Sequence, residues 1–262
     1  MTPDFLARFS GIARLYGMPS LERFSQSSVM VVGLGGVGSW SVEALARSGI
    51  GRLILVDLDD LCLTNTNRQI HALAQTIGHG KAAALARRAR EINPEIEITE
   101  HQTFYTEKNG LTLLSDPRPD FVIDAIDAVR PKTHLLATCH QLKIPTITSG
   151  AAGGRIDPTQ IRLDDLSKSH NDALLAAVRR NLRSDYGFPK AEKKVRKFGI
   201  EAIFSPEQPK FPQCDGSAST ERPENMATGL KCDSGYGAVT HLTATFGNLA
   251  AARALDSLAA NL

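Results

Sequence analysis

A chain of 262 residues is long for one domain but within reach of a single α/β sheet, which can run to roughly 250 residues. With 42% hydrophobic and 22% charged residues, its composition excludes a disordered or fibrous chain. The net charge of +2 is too small to imply a partner, so any nucleic-acid surface must come from a local cluster. The opening MTPDFLARFSGIARLYG carries Asp4, Arg8 and Arg14 and lacks an apolar core, so it does not read as a secretory signal. Cys62, Cys139, Cys214 and Cys232 are widely spaced with no C-x-x-C, which argues against a structural zinc site and fits reduced thiols in a cytoplasmic protein.

Residues 1–27 read as an arm and a leading helix, with Leu15, Leu21 and Phe24 as its apolar positions. Val29 to Val32 form a short β-branched and apolar run, the pattern of a strand buried on both faces of a parallel sheet. Gly33, Gly35, Gly36 and Gly38 follow at once. They free the backbone to turn and to approach a ligand, and SWSVEALARSG then reads as a helix whose N-terminus points at a phosphate. RLILVD is the next strand and ends in Asp57, nineteen positions after Gly38, the spacing of an acidic residue that binds a ribose hydroxyl.

Strand and helix then alternate, as in a Rossmann-like, mainly parallel sheet with helices on both faces. AAALARRAREIN is a helix closed by Asn93-Pro94, EIEITEH a third strand, DFVIDAID a fourth and RPKTHLLATCHQLK its helix. PTITSGAAGGRI is a fifth strand running into a glycine-rich turn, and QIRLDDL reads as a last edge strand. The stretch from about 167 to 233 leaves this rhythm and reads as a basic, partly irregular, mobile insertion over the sheet. A C-terminal helix over about 238–262 closes the single domain 1–262. The window 234–252 has no Asp, Glu, Lys or Arg, yet His241, Asn248 and its Thr and Gly residues dilute it too far for an integral membrane span. Peripheral membrane association stays open.

After the second strand come Asp59, Asn65, Asn67, Arg68, Gln69 and Lys81, and after the fourth comes Asp127. Ligands sit at the carboxyl ends of parallel strands, so these groups are expected to converge over the glycine turn. Arg68 and Lys81 suit the charge of a triphosphate, and Asp127 is a hard oxygen ligand for Mg²⁺. The plainer alternatives are a surface ion pair for Arg68 or Lys81 and a helix N-cap for Asp127. His71 and His79 bracket the segment before Lys81 and read either as polar loop residues or as groups supporting the site from behind. Between Arg179 and Lys197 lie eight basic residues against two acidic ones. That run is either a solvated face or a phosphate-contacting surface, with Lys190, Lys193, Lys194, Arg196 and Lys197 as its candidates.

GLGGVG, VDLDDLCLTNTNRQ, GHGK and DAIDAVRPK together resemble the ubiquitin-activating-enzyme-like adenylating superfamily. The resemblance implies ATP as cofactor with Mg²⁺, and leaves room for a structural monovalent cation. It implies Asp57 on the ribose, Arg68 and Lys81 on the phosphates, Asp127 on the metal, and a homodimer in which an N-terminal arginine reaches the partner's ATP. Arg14 is the candidate for that arginine, ahead of Arg8. RFSGIARLYG, EALARSGIG, TNTNRQIHAL, AIDAVRPK, AAGGRIDPTQI and GYGAVTHLTATFG resemble one branch in particular, the tRNA threonylcarbamoyladenosine dehydratases. The missing C-x-x-C pairs favour this branch over the sulfur-carrier activators. It implies adenylation of the threonyl carboxylate of a modified adenosine beside the anticodon, then ring closure with release of AMP. A sulfur-transfer protein is a further possible partner. The rivals are an activator of a ubiquitin-like or sulfur-carrier protein, an NAD-dependent oxidoreductase, and a nucleotide sensor without turnover.

Overall fold

The apolar run at 28–32 and its counterpart at 52–56 set the architecture. Both are β-rich and buried nearly throughout, so each must be covered on two sides. A computed structural model describes residues 1–190, 196–213, 215–222 and 236–260. Among these, seven strands form one sheet in the order β3-β2-β1-β4-β5-β7-β6. They are β1 (Ser28–Val32), β2 (Arg52–Val56), β3 (Glu97–His101), β4 (Phe121–Asp124), β5 (Thr146–Ser149), β6 (Arg162–Asp165) and β7 (Glu201–Phe204). All neighbours pair parallel except β6, which lies antiparallel on β7 at the edge.

Strand order reverses between β1 and β4, and the crevice above their carboxyl ends is the topological switch point where open α/β sheets bind ligands. On one face lie α3 (Gly38–Arg47), α4 (Lys81–Ile92) and α8 (Thr240–Ala259), whose buried residues merge with those of β1 and β2 in the largest core cluster. On the other lie α5 (Gly110–Ser115), α6 (Val129–Leu142) and α7 (Ala173–Asp185). No helix among the described residues is long and apolar enough to cross a membrane.

The leading arm is two helices, α1 (Pro3–Tyr16) and α2 (Met18–Gln26). Leu21 and Phe24 are fully buried as expected, but Leu15 is 80% exposed, because it falls on the solvent side of α1 while Phe5 and Phe9 face inward. The expected excursion over the sheet is corrected more deeply. Leu174, Leu175, Val178 and Leu182 of α7 pack with Phe198, Ile200, Ala202 and Phe204 in a core of their own. β7 inserts between β5 and the edge strand, so both elements belong to the scaffold. EAIF is too short a run to announce itself among lysines and prolines, and its partner strands lie far off in sequence.

Candidate active site

The glycine turn is dictated by close backbone approach. Gly33 has φ 88°, and a Cβ there would lie 2.8 Å from the Ala125 carbonyl oxygen. At Gly38 a Cβ would lie 1.9 Å from the Gly33 carbonyl oxygen, so this glycine seats α3 against β1 rather than facing a ligand. Gly33, Gly35 and Gly36 line a cavity of about 980 Å³ over the switch point, and Gly38 does not.

At the end of β2, Asp57 is 8% exposed and accepts from the Leu34 N–H at 2.6 Å and the Asp59 N–H at 2.9 Å. It thereby braces the glycine turn while lining the cavity. Burial raises its carboxyl above the ordinary value, against the pull of Lys81 and the two backbone donors. Lys81 opens α4 and is buried, and its Nζ lies 2.7 Å from Asp59 Oδ2. Above them the 64–69 segment turns back over Gly36. The Arg68 guanidinium donates to the Thr64 carbonyl at 2.8 Å and to Asn67 Oδ1 at 3.0 Å, and its side-chain stem would meet a Cβ on Gly36 at 3.3 Å. Asn67 Nδ2 donates to the Ala238 carbonyl and Trp40 Nε1 to that of Arg68, which ties the segment to α3 and to the entry of α8. Asn67, Arg68 and Gln69 line the cavity. Asn65 is buried and does not line the cavity, and its Oδ1 accepts from the Cys62 N–H at 3.0 Å to cap its own turn.

Asp127 lines the same cavity from the β4–α6 loop and is exposed. A buried pair that the sequence reading did not single out holds that loop. Asp124 and Lys132, both 0% exposed, lie 2.9 Å apart. Lys132 Nζ also donates to the Ile126 carbonyl at 2.9 Å, while Asp124 accepts from Thr148 Oγ1 and the Ile126 N–H. Both residues stand in the DAIDAVRPK stretch, but only burial tells them from a surface pair.

The far wall comes from 149–153 after β5, with Leu174 and 236–238. Asp172, the N-cap of α7, accepts from the Leu175 N–H at 2.9 Å and the Ala151 N–H at 2.8 Å. The buried Arg155 guanidinium lies 4.0 Å from it and donates to the carbonyls of Ala151, Asn171 and Glu207. Gly154 N–H donates to the Gly237 carbonyl at 2.7 Å, so the glycine-rich turn is pinned from three sides.

The remaining predicted residues lie elsewhere. Arg14 is exposed in the last turn of α1 and does not line its own chain's cavity, and Arg8 is paired with Asp4. Lys190, Arg196 and Lys197 are exposed, while Lys193, Lys194, Cys214 and Cys232 lie outside the described residues. Not all of the basic run is available to a ligand. Arg183 donates to the Pro189 carbonyl and stacks 5.0 Å over Phe198, and Arg179 donates to Ser169 Oγ. Cys139 is buried, which pushes its thiol up to about 12, and neither it nor Cys62 borders the cavity. No cluster of three or more metal-ligating side chains occurs among the described residues. Asp127, an exposed carboxylate on the cavity wall, nevertheless suits Mg²⁺, which takes one or two carboxylates and completes its shell with phosphate oxygens and water.

A doubly wound sheet with a glycine turn, a ribose-type Asp and a charged cavity at its switch point defines a Rossmann-like nucleotide-binding protein. The chain belongs to the ThiF family, whose model matches residues 9–261. It is 48% identical over 258 residues to the tRNA threonylcarbamoyladenosine dehydratase of Escherichia coli K12, covering 97% of this chain and 94% of that protein. The solved structure of the E. coli tRNA N6-threonylcarbamoyladenosine dehydratase with AMP superposes with a TM-score of 0.87 at 45% identity, covering 99% of this chain and 97% of that one. Its ATP complex gives 0.85 at 44% identity and the same coverage.

Proposed function

We propose that this protein uses ATP to dehydrate threonylcarbamoyladenosine in tRNA, beside the anticodon, by adenylating the threonyl carboxylate. The observation that carries this reading is one cavity that brings the glycine turn, Asp57, Arg68, Lys81 and Asp127 together and still extends to a separate wall at 149–153. The nucleotide belongs over the glycine turn and the carboxylate substrate toward β5. Relatives of nearly the same length carry this activity in their names, and one is solved with ATP and with AMP.

A carboxylate is a poor electrophile until one oxygen becomes part of a leaving group. In the first step a threonyl carboxylate oxygen bonds to the α-phosphorus and pyrophosphate departs. Arg68 and Lys81 stabilise the charge that develops there. In the second, a nucleophile of the same side chain attacks the acyl carbon, the ring closes, and AMP leaves with the oxygen, so the nucleoside has lost one water. Attack within one side chain needs positioning rather than an external nucleophile, which agrees with a cavity bordered by neither described cysteine. Asp127 is the residue that would hold Mg²⁺, whose chemistry there is to neutralise the phosphate oxygens.

The whole chain acts as one adenylating domain and, on this reading, as a homodimer in which Arg14 serves the partner's nucleotide. Exposed Lys190, Arg196 and Lys197, with Lys193 and Lys194, contact tRNA phosphates. The test is mass spectrometry of nucleosides from tRNA bearing threonylcarbamoyladenosine after incubation with protein, ATP and Mg²⁺. Loss of one water, dependent on ATP, is expected. Asp127→Ala is expected to lower pyrophosphate release about 100-fold or more with the fold retained. An unchanged nucleoside, with pyrophosphate released only when a small carrier protein is supplied, would move the protein to the protein-activating branch.

A further inference from the structure

Between the cavity wall and the C-terminal end of α7 lies a set of side chains that the adenylation chemistry leaves unused. Tyr186, the C-cap residue of α7, is 40% exposed. Its ring stands edge-on to His134 of α6, with centroids 6.5 Å apart at 72°. His134 Nδ1 in turn lies 3.0 Å from the hydroxyl of Tyr105, which lines the cavity. Glu107 and Arg130, both on the cavity wall, lie within electrostatic reach of Tyr186. The aromatic row thus runs from the wall of the site, at Tyr105, to solvent, at Tyr186.

Arg130 is exposed, in the first turn of α6 and three residues beyond Asp127. Among the described residues its guanidinium has neither a hydrogen bond nor an ion pair. Lys81 is engaged by Asp59, and Arg68 by Thr64 and Asn67. The same end of α7 carries exposed Arg180 and runs on to exposed Lys190. Exposed Tyr186 thus stands in sequence between two exposed basic residues that would draw a polyanion.

RNA loops are read by splaying bases out and stacking them on aromatic rings or on guanidinium planes, because every base has a π face. A side chain attached to an anticodon-loop adenosine reaches the α-phosphate only if that nucleotide leaves the stack, which also exposes the face of its neighbour. Resting on the tRNA reading above, we propose that Tyr186 and Arg130 form the platform on which the base next to the modified adenosine stacks. This platform would hold the loop open at the mouth of the site. Tyr186 supplies the ring, His134 and Tyr105 fix its edge, and Arg130 supplies a second plane and a charge for the backbone. These are positioning residues, and neither touches the reacting atoms.

The experiment uses the full chain and an anticodon stem-loop RNA carrying threonylcarbamoyladenosine, intact or with an abasic nucleotide next to it. Tyr186→Ala is expected to raise KM for the intact RNA about tenfold or more, with KM for ATP unchanged, and Tyr186→Phe to restore it. On the abasic RNA, wild type and Tyr186→Ala should have the same KM. Equal KM on the intact RNA, or an equal loss on both RNAs, would overturn the platform. In either of those cases wild-type enzyme still removes water from the nucleoside and the proposed activity stands. If wild type leaves the nucleoside unchanged, the activity and the platform fall together. ATP affinity reports whether the variants remain folded.

Discussion

The two walls of the cavity are built on opposite plans. The nucleotide wall is largely local and steric: the Gly38 approach and the Leu34 N–H to Asp57 contact arise between neighbouring elements β1, α3 and β2, and only Gly33 is fixed from farther off, by the Ala125 carbonyl beyond β4. Of its chemical side chains Arg68 and Asp127 reach the surface of that frame, while Asp57 and Lys81 are buried in it. The β5 wall is remote and electrostatic. Arg155 and Asp172 are both nearly inaccessible, and they join carbonyls and N–H groups at 151, 171, 175 and 207. A wall made of backbone sterics tolerates loss of a ligand-facing side chain. A wall made around a buried charge does not, because the remaining charge has no partner.

The largest expected effect breaks the second wall. Asp172→Ala strips two N–H groups of their acceptor and leaves Arg155 buried beside no carboxylate, and should cost about 3–5 kcal/mol in urea unfolding. A loss within the range of an ordinary surface change would mean that the Ala151, Asn171 and Glu207 carbonyls alone hold that turn. The next effect separates chemistry from stability on the first wall. Arg68→Ala should lower ATP-dependent pyrophosphate release about 100-fold while moving the urea midpoint little. If stability fell with activity, the side chain would be part of the frame.

The smallest effect sharpens the contrast, because a titrating group lies under the nucleotide wall. His71 is 2% exposed, and both its ring nitrogens lack a hydrogen-bond partner. Burial, helped by Lys81 and Arg88, lowers its pKa from 6.5 to about 3. The unfolded chain therefore binds a proton below about 6.5 that the folded protein refuses until about 3. Stability contributed by the neutral ring is complete above that window and is lost as pH falls through it, by about 1.4 kcal/mol per pH unit. Urea midpoints between pH 6 and 4 should fall more steeply for wild type than for His71→Leu, and parallel slopes would assign the acid sensitivity to other groups.

Much of the first wall was legible because its information is short-range. Strand periodicity, four closely spaced glycines and an acid at the next strand end imply one another within a single βαβ unit, and DAIDAVRPK adds the Asp127 loop. What the sequence did not show was the local contact of individual members. Gly38 packs against the Gly33 carbonyl and Asn65 caps a turn, distinctions of an ångström that residue type does not encode. Arg179 and Arg183 counted as free charge until Ser169, Pro189 and Phe198 were seen to engage them.

By itself the sequence determined the parallel α/β class, the glycine turn, the strand ends that carry Asp57 and Asp127, and the family resemblance, since each rests on residues close along the chain. The tertiary structure alone decided that β7 enters the sheet between β5 and β6. It alone decided that Asp124–Lys132 and Arg155–Asp172 are buried pairs, and that Tyr186 stands edge-on to His134, which meets the cavity-lining Tyr105. Those features depend on which surfaces are excluded from water, and that is settled only when elements distant in the chain have packed.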